Sequence, residues 1–260
     1  MAAARILVVD VGGNNAKLRL GAEGEKRKVP TGPAMTPERL LEAIRAITRD
    51  WRWDKVAVGV PGPVIDNRIV KEPVNLGPGW LGFDFARAFG VPTRVVNDAA
   101  MQALGSYQGG TMLFMGFGTG LGMTLIVDGT IVPLELMHLP WKKGLTYEDF
   151  VGLRGLERLG EKKWHRTVLE VIALFKDALV AEDVVIGGGN AKRLKELPAG
   201  VRLGHNDNAF IGGVRIWEGA GFQPGAAAVP PPAAPDPVTA PVPPRRPRRP
   251  PTRPAPATPR

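Results

Sequence analysis

Two segments of the chain share one plan: an aliphatic strand, a turn of glycine and small polar residues, and a second apolar strand. The first is ILVVDVGGNNAKLRL, starting at Ile6, and the second is TMLFMGFGTGLGMTLIV, starting at Thr111. Both read as β-hairpins, because aliphatic and β-branched runs favour extended backbone and glycine tolerates a tight turn. After each hairpin, helical and strand-like segments alternate. Such a pattern folds as α/β layers, and the doubled plan, without any repeat by identity, predicts two related lobes.

In the first half, KRKV extends the sheet before Pro30. TPERLLEAIRAITRDW has Thr36 as N-cap and Pro37 at the first helical position. KVAVGVPGP is a buried strand closed by a Gly/Pro turn that shapes a cleft floor, and TRVV delivers Asn97 and Asp98 to the start of the helix AAMQALGSY. In the second half, TYEDFVGLRGLERLG and KWHRTVLEVIALFKDAL are helical, and DVVIGGGNAKRLKEL reads as strand, glycine turn and helix. The amphipathic stretch NAFIGGVRIW closes the fold near Trp217.

Beyond that point the composition changes. Gly221 to Arg260 holds 15 of the chain's 26 prolines and six arginines against one aspartate, so it carries more than half of the net charge of +9. A segment of this kind cannot bury a core and is expected to be disordered or polyproline-like. The expected division is therefore residues 1–107 for the first lobe, 108–218 for the second, and 219–260 for a Pro/Arg-rich tail. The tail reads either as a weak handle for polyanions, without specific nucleic-acid recognition, or as a solubilising extension. The chain has no cysteine, which excludes disulfides and thiolate chemistry. No apolar run is long enough to span a membrane, and the apolar stretch near the N-terminus ends at once in Asp10, unlike a leader peptide. A cytoplasmic protein is expected.

Asp10 is what hairpin chemistry leaves unexplained, since a charge at the end of a buried strand is costly unless something uses it. Glycine clusters at Gly12-Gly13, Gly116 to Gly122 and Gly187 to Gly189 each follow a strand. A glycine turn exposes backbone N–H groups that can wrap a phosphoryl group. GFGTGLG is followed by a strand rather than a helix, so it is not a dinucleotide fingerprint. The third cluster is expected to open a helix and aim its positive end at an anion. Asp98 suits two roles equally on pattern alone, helix N-cap or general base.

DVGGNNAK, GVPGPV, VVNDAAMQALG, MGFGTGLG, LELMHLPW, TYEDF and IGGGNAK occur in an order that resembles the ROK family of sugar kinases and sugar-responsive repressors. The resemblance covers about Ile6 to Trp217 and looks most like the polyphosphate/ATP glucokinase branch. It implies the two-lobed actin-like ATPase (ribonuclease H-like) fold with a cleft between the lobes. It also implies phosphoryl transfer from ATP or polyphosphate to the 6-hydroxyl of glucose or a related hexose, with Mg²⁺, in a homodimer. Residue by residue, the resemblance makes Asp98 the catalytic base and places Asn75, Asn97, Asp98, Glu135, His138 and Glu148 on the sugar. Asp10 would hold Mg²⁺, directly or through water. Gly12, Gly13, Asn14, Lys17, Gly118, Thr119 and Gly120 would surround the phosphates, and Gly187, Gly188 and Gly189 the nucleotide.

The chain departs from the family at Asn14, where Thr or Ser is usual, and at Met137, where glycine is usual. The family's three-cysteine zinc site is missing, so no zinc is expected and His138 is freed for the sugar. The alternative reading is a non-catalytic sugar-binding or regulatory member. With five residues before Ile6, the helix-turn-helix of the repressors is not expected.

Overall fold

The computed structural model describes residues 4–205 and 207–219. β1 (Ile6–Val11) and β2 (Asn15–Leu20) form the first hairpin, and β3 (Lys26–Pro30) pairs with β2. α1 (Pro37–Ile47) starts as its sequence dictates: the Thr36 hydroxyl accepts from the Arg39 N–H, Pro37 opens the first turn, and Leu40, Leu41 and Ile44 are buried. β4 (Lys55–Val60) runs parallel to β1. A ribbon of β5 (Val64–Ile65) and β6 (Arg68–Ile69) and the short α2 (Phe85–Phe89) lead to β7 (Thr93–Asn97), which completes a sheet of order β3-β2-β1-β4-β7. α3 (Asp98–Ser106) follows without a loop.

The second half repeats the plan. β8 (Thr111–Phe117), β9 (Leu121–Val127) and β10 (Thr130–Leu134) form an antiparallel meander. α4 (Tyr147–Val151), α5 (Leu153–Leu159) and α6 (Glu161–Ala178) precede β11 (Asp183–Gly187) and β12 (Val201–Leu203). The sheet order is β10-β9-β8-β11-β12, the same sequence of hairpin strands and parallel strands as in the first. The last helix is α7 (Asn208–Arg215).

Every residue of β1 is buried, because successive side chains feed different cores. Leu7, Val9 and Val11 pack with α1 residues in one core, whereas Ile6 and Val8 join α3 and α7 in another. β8 does the same: Leu113, Met115 and Phe117 face the α6 core, and Met112 and Phe114 face α3 and α7. The α3–α7 pair is thus the filling between two sheets, each covered outside by its own helices. This is the two-lobed actin-like ATPase fold.

The two central helices meet at glycines. A Cβ on Gly105 would lie 1.8 Å from the Asn208 carbonyl oxygen, and one on Gly212 would lie 1.8 Å from that of Met101. Gly213 rests on Val8 of the first sheet, and Asp207 pairs with Arg19 and Lys26 of that sheet. The division at residue 108 therefore needs correction at its far end. Residues 208–218 return to the layer shared by both sheets, and Trp217 lies under Lys55 and Arg94 of the first lobe.

The helix expected after Gly189 is also absent. A single 3-10 turn spans Ala191–Arg193, and Leu194 is extended and buried. Two constraints, one distant and one local, override the helical pattern. Asn190 is tied to the second hairpin through bonds to the carbonyls of Phe117 and Gly118, and Pro198 disfavours helix at the residue before it. Among the described residues no helix is long and apolar enough to cross a membrane. The Pro/Arg-rich tail, from Ala220 onward, lies outside the described residues.

Candidate active site

A cavity of about 360 Å³ opens between the two glycine hairpins. Asp10, near the end of β1, is only 5% exposed, with its Oδ2 3.2 Å from the ammonium of Lys17 on the neighbouring strand, and its charge reaches the cavity-lining Asp98. Opposite Asp10 on β4 is Gly59. A Cβ there would lie 3.4 Å from the Asp98 Cα and 2.3 Å from the Met101 methyl, so a bare glycine lets α3 begin close to the sheet.

The start of α3 separates two neighbouring polar residues. The Asn97 side chain caps the helix, its oxygen accepting from the Ala99 N–H at 2.9 Å and the Ala100 N–H at 3.2 Å. Its amide nitrogen donates to the Gly62 carbonyl at 2.9 Å. Asn97 lines the cavity, but its amide is already committed to the fold. Asp98 also lines the cavity, and its Oδ1 accepts from the Ala99 N–H at 2.8 Å. Burial, followed by the nearby charge of Asp10, pushes the Asp98 carboxyl up to about 7, with the Ala99 N–H and Lys17 opposing.

The walls come from the second lobe and from one loop of the first. Glu135 and His138 sit at a 3-10 turn, Leu136–His138, with His138 Nε2 3.4 Å from Glu135 Oε2. Burial raises the Glu135 pKa, and the charges of His138 and Lys71 oppose the rise. Glu148, on α4, accepts from the Leu121 N–H at 3.1 Å, and a Cβ on Gly120 would lie 2.2 Å from its Oε2. A side chain at residue 120 would displace the Glu148 carboxylate from its present position against the second hairpin. Asn75 lies on the first hairpin, where a Cβ on Gly13 would meet the Asn75 Cβ at 3.1 Å. Its loop is held by Glu72, whose carboxylate accepts from the N–H groups of Gly79, Trp80 and Leu81 at 3.1, 3.1 and 3.3 Å.

The structure brings most of the expected residues to one place. Asn75, Asn97, Asp98, Glu135, His138 and Glu148 line the cavity together with Gly13, Gly118, Thr119, Gly120 and Gly188. Pro61, Gly62 and Pro63 line it as well, in keeping with the reading of GVPGP. Asp10, Gly12, Asn14 and Lys17 are not among the lining residues, nor are Gly187 and Gly189, which flank Gly188.

Gly12 does not offer an amide as expected. Its N–H closes the turn on the Asn15 carbonyl at 3.0 Å, and its carbonyl accepts from the Thr31 hydroxyl at 2.6 Å. Gly118 likewise donates to Gly120, so the free turn amides are those of Thr119 and Gly120. Asn14 is exposed, and its carbonyl accepts from the Thr31 N–H. Lys71, Glu72, Gln102 and Arg154 also line the cavity and were not anticipated. Only Gln102 carried a signal, one helical turn after Asp98.

The model of the ROK family matches residues 6–133. These residues are ROK-family sequence. The polyphosphate glucokinase of Mycobacterium tuberculosis is 26% identical over 211 residues, covering 71% of this chain and 77% of that protein. The N-acetylmannosamine kinase of Escherichia fergusonii is 31% identical over 142 residues, 48% of each chain. Among solved structures, the inorganic polyphosphate/ATP-glucomannokinase from Arthrobacter sp. strain KM superposes with a TM-score of 0.72 at 24% identity, covering 84% of this chain and 100% of that one. The ROK-matched residues contain the first hairpin, Asn75, Asp98 and the second hairpin. Glu135, His138 and Glu148 lie past residue 133 and reach the same cavity through the second sheet.

Proposed function

We propose that this protein is a sugar kinase that transfers a phosphoryl group from ATP or polyphosphate to the 6-hydroxyl of glucose or a related hexose. The observation that carries the reading is Asp98. A carboxyl raised to about 7 faces a cavity flanked by glycine hairpins from both lobes, so it exchanges a proton near neutral pH.

Asp98 accepts the proton of the attacking hydroxyl as that oxygen forms its bond to phosphorus. The bridging P–O bond of the donor then breaks, and ADP or a shortened polyphosphate leaves. Glu135, His138, Glu148 and Asn75 supply carboxylate, imidazole and amide partners for the sugar hydroxyls and hold the acceptor oxygen near Asp98. The Thr119 hydroxyl and the free N–H groups of Thr119 and Gly120 face the donor phosphates, and closure of the lobes excludes water that would otherwise compete as acceptor.

Asp10 fits a divalent cation. It is a hard carboxylate with only one oxygen engaged, and Mg²⁺ is commonly held by one or two carboxylates plus substrate phosphates. Bound there, Mg²⁺ would neutralise charge on the donor.

The test is sugar-6-phosphate formation with Mg²⁺, run in parallel with ATP and with polyphosphate, using glucose, mannose, N-acetylglucosamine, N-acetylmannosamine and fructose. Turnover with any pair that is lost in Asp98→Asn supports the reading and names the donor. No turnover with any pair refutes it.

A further inference from the structure

Two cations line the cavity without a task in the proposed transfer, Lys71 and Arg154. Neither side chain makes a hydrogen bond or an ion pair with any described residue. The carboxylate that senses Arg154 is Asp149, and its Oδ2 is occupied by the N–H and hydroxyl of Thr146 at 3.0 and 2.8 Å. An arginine beside a cavity with no internal partner keeps its whole donor fork available.

The two cations stand in different places. Arg154 follows Leu153, whose N–H donates to the Thr119 carbonyl at 3.0 Å. Just before it, Gly152 lies so close to the turn that a Cβ would be 2.9 Å from the same oxygen. The backbone that carries Arg154 is therefore fixed against the Gly118–Gly120 turn, whose Thr119 and Gly120 N–H groups are unspent. Lys71 instead acts on Glu135, among the residues proposed for the sugar.

We infer that Arg154 is a donor-side anion contact: its guanidinium grips the phosphate chain of the phosphoryl donor next to the Gly118–Gly120 turn. This rests on the kinase reading for its purpose, though not for its test. The chemistry recognised is a row of phosphate oxygens, which a planar guanidinium binds through two parallel N–H bonds and an ammonium does not. The ligand class is a linear polyphosphate or the phosphate chain of a nucleoside triphosphate.

The experiment is calorimetric titration of the full chain with tripolyphosphate and, separately, with ATP, for the wild type and the variants Arg154→Gln, Arg154→Lys and Lys71→Met. The tail's six arginines are common to all four proteins, so differences between them read the cavity. Arg154→Gln is expected to weaken tripolyphosphate binding by about 10- to 100-fold, the usual worth of charge-assisted hydrogen bonds. Arg154→Lys is expected to fall between, and Lys71→Met to stay near wild type, with the melting temperature of each protein unchanged. Loss for both probes assigns the contact to the shared phosphate chain. Loss for tripolyphosphate alone, or for ATP alone, assigns it to that donor.

Unchanged binding in Arg154→Gln overturns the inference. So does an equal loss in Arg154→Gln and Lys71→Met, which would report a general positive field rather than a guanidinium contact. Binding needs no sugar turnover, so a protein that loses tripolyphosphate in Arg154→Gln but phosphorylates no sugar would keep this subsite and lose the kinase reading.

Discussion

Replacing Asp98 by asparagine is expected to abolish transfer and, at the same time, to stabilise the protein at alkaline pH. The native carboxyl keeps its proton up to about pH 7, whereas the unfolded chain releases it near the ordinary value of 3.8. A raised carboxyl contributes stability that is complete below the lower value and is lost as pH rises through the upper one. The gap of about 3 units corresponds to roughly 4 kcal/mol at 1.36 kcal/mol per unit. Asp98 is partly open to the cavity, and water there relieves some of the cost, so about 2 to 4 kcal/mol is the expected range.

Asparagine keeps an oxygen for the Ala99 N–H and carries no charge to desolvate. Thermal unfolding of wild type and Asp98→Asn, without added metal, checks the sum. At pH 8 the variant is expected to melt higher by about 5 to 12 °C, and at pH 5, where native Asp98 is protonated, the advantage shrinks to about two-fifths of that. In the same wild-type protein, turnover rises with pH through about 7 as the base form appears. A variant advantage that is the same at pH 5 and pH 8, or is absent at pH 8, would refute the claim that Asp98 is held protonated by its surroundings.

Four further outcomes follow from distances in the structure. Lys17→Met removes a positive charge that lowers the Asp98 pKa, so the acid limb of the pH–rate profile is expected to move above its wild-type position. Gly120→Ala places a methyl group 2.2 Å from Glu148 Oε2 while fitting a backbone without positive φ, and sugar kcat/KM is expected to fall about 10- to 100-fold with little change in melting temperature. Glu72→Ala frees three backbone N–H groups and slackens the loop carrying Asn75, so sugar KM is expected to rise about tenfold while donor KM holds in steady-state kinetics. Gly105→Ala forces two backbones apart where no side chain can yield, at a cost of about 3 kcal/mol read by denaturant titration.

What was legible in the sequence was local. The hairpins at Ile6 and Thr111, the Thr36 cap and the strand that delivers Asp98 all follow from propensity, periodicity and capping over a few residues. Where a distant contact decides the backbone, local reading fails. GGGNAKRLKEL has helix-forming residues throughout, but its Asn190 is anchored on a hairpin more than 70 residues earlier, and the helix does not form. Gly105, Gly212 and Gly213 carry no local signal of their own. Their function, to let α7 come back between the sheets, depends on partners about a hundred residues or more away in sequence. Glu72 and Arg154 reach the cavity from segments whose local pattern is that of a solvated loop and helix face.

The pattern VVNDAA left open whether Asp98 caps the helix or serves as a base, and packing separates the two roles. A helix start has few unpaired N–H groups, and the Asn97 oxygen already takes those of Ala99 and Ala100. A charge at residue 98 is therefore not needed for the cap. If helix stabilisation were its purpose, Asp98 would gain from exposure to water and from distance to Asp10. Instead Gly59 draws it against the sheet, beside a second carboxylate and open to water only through the cavity. An arrangement that raises the energy of a carboxylate, when the residue before it has already satisfied the helix, is what a proton acceptor near neutral pH requires.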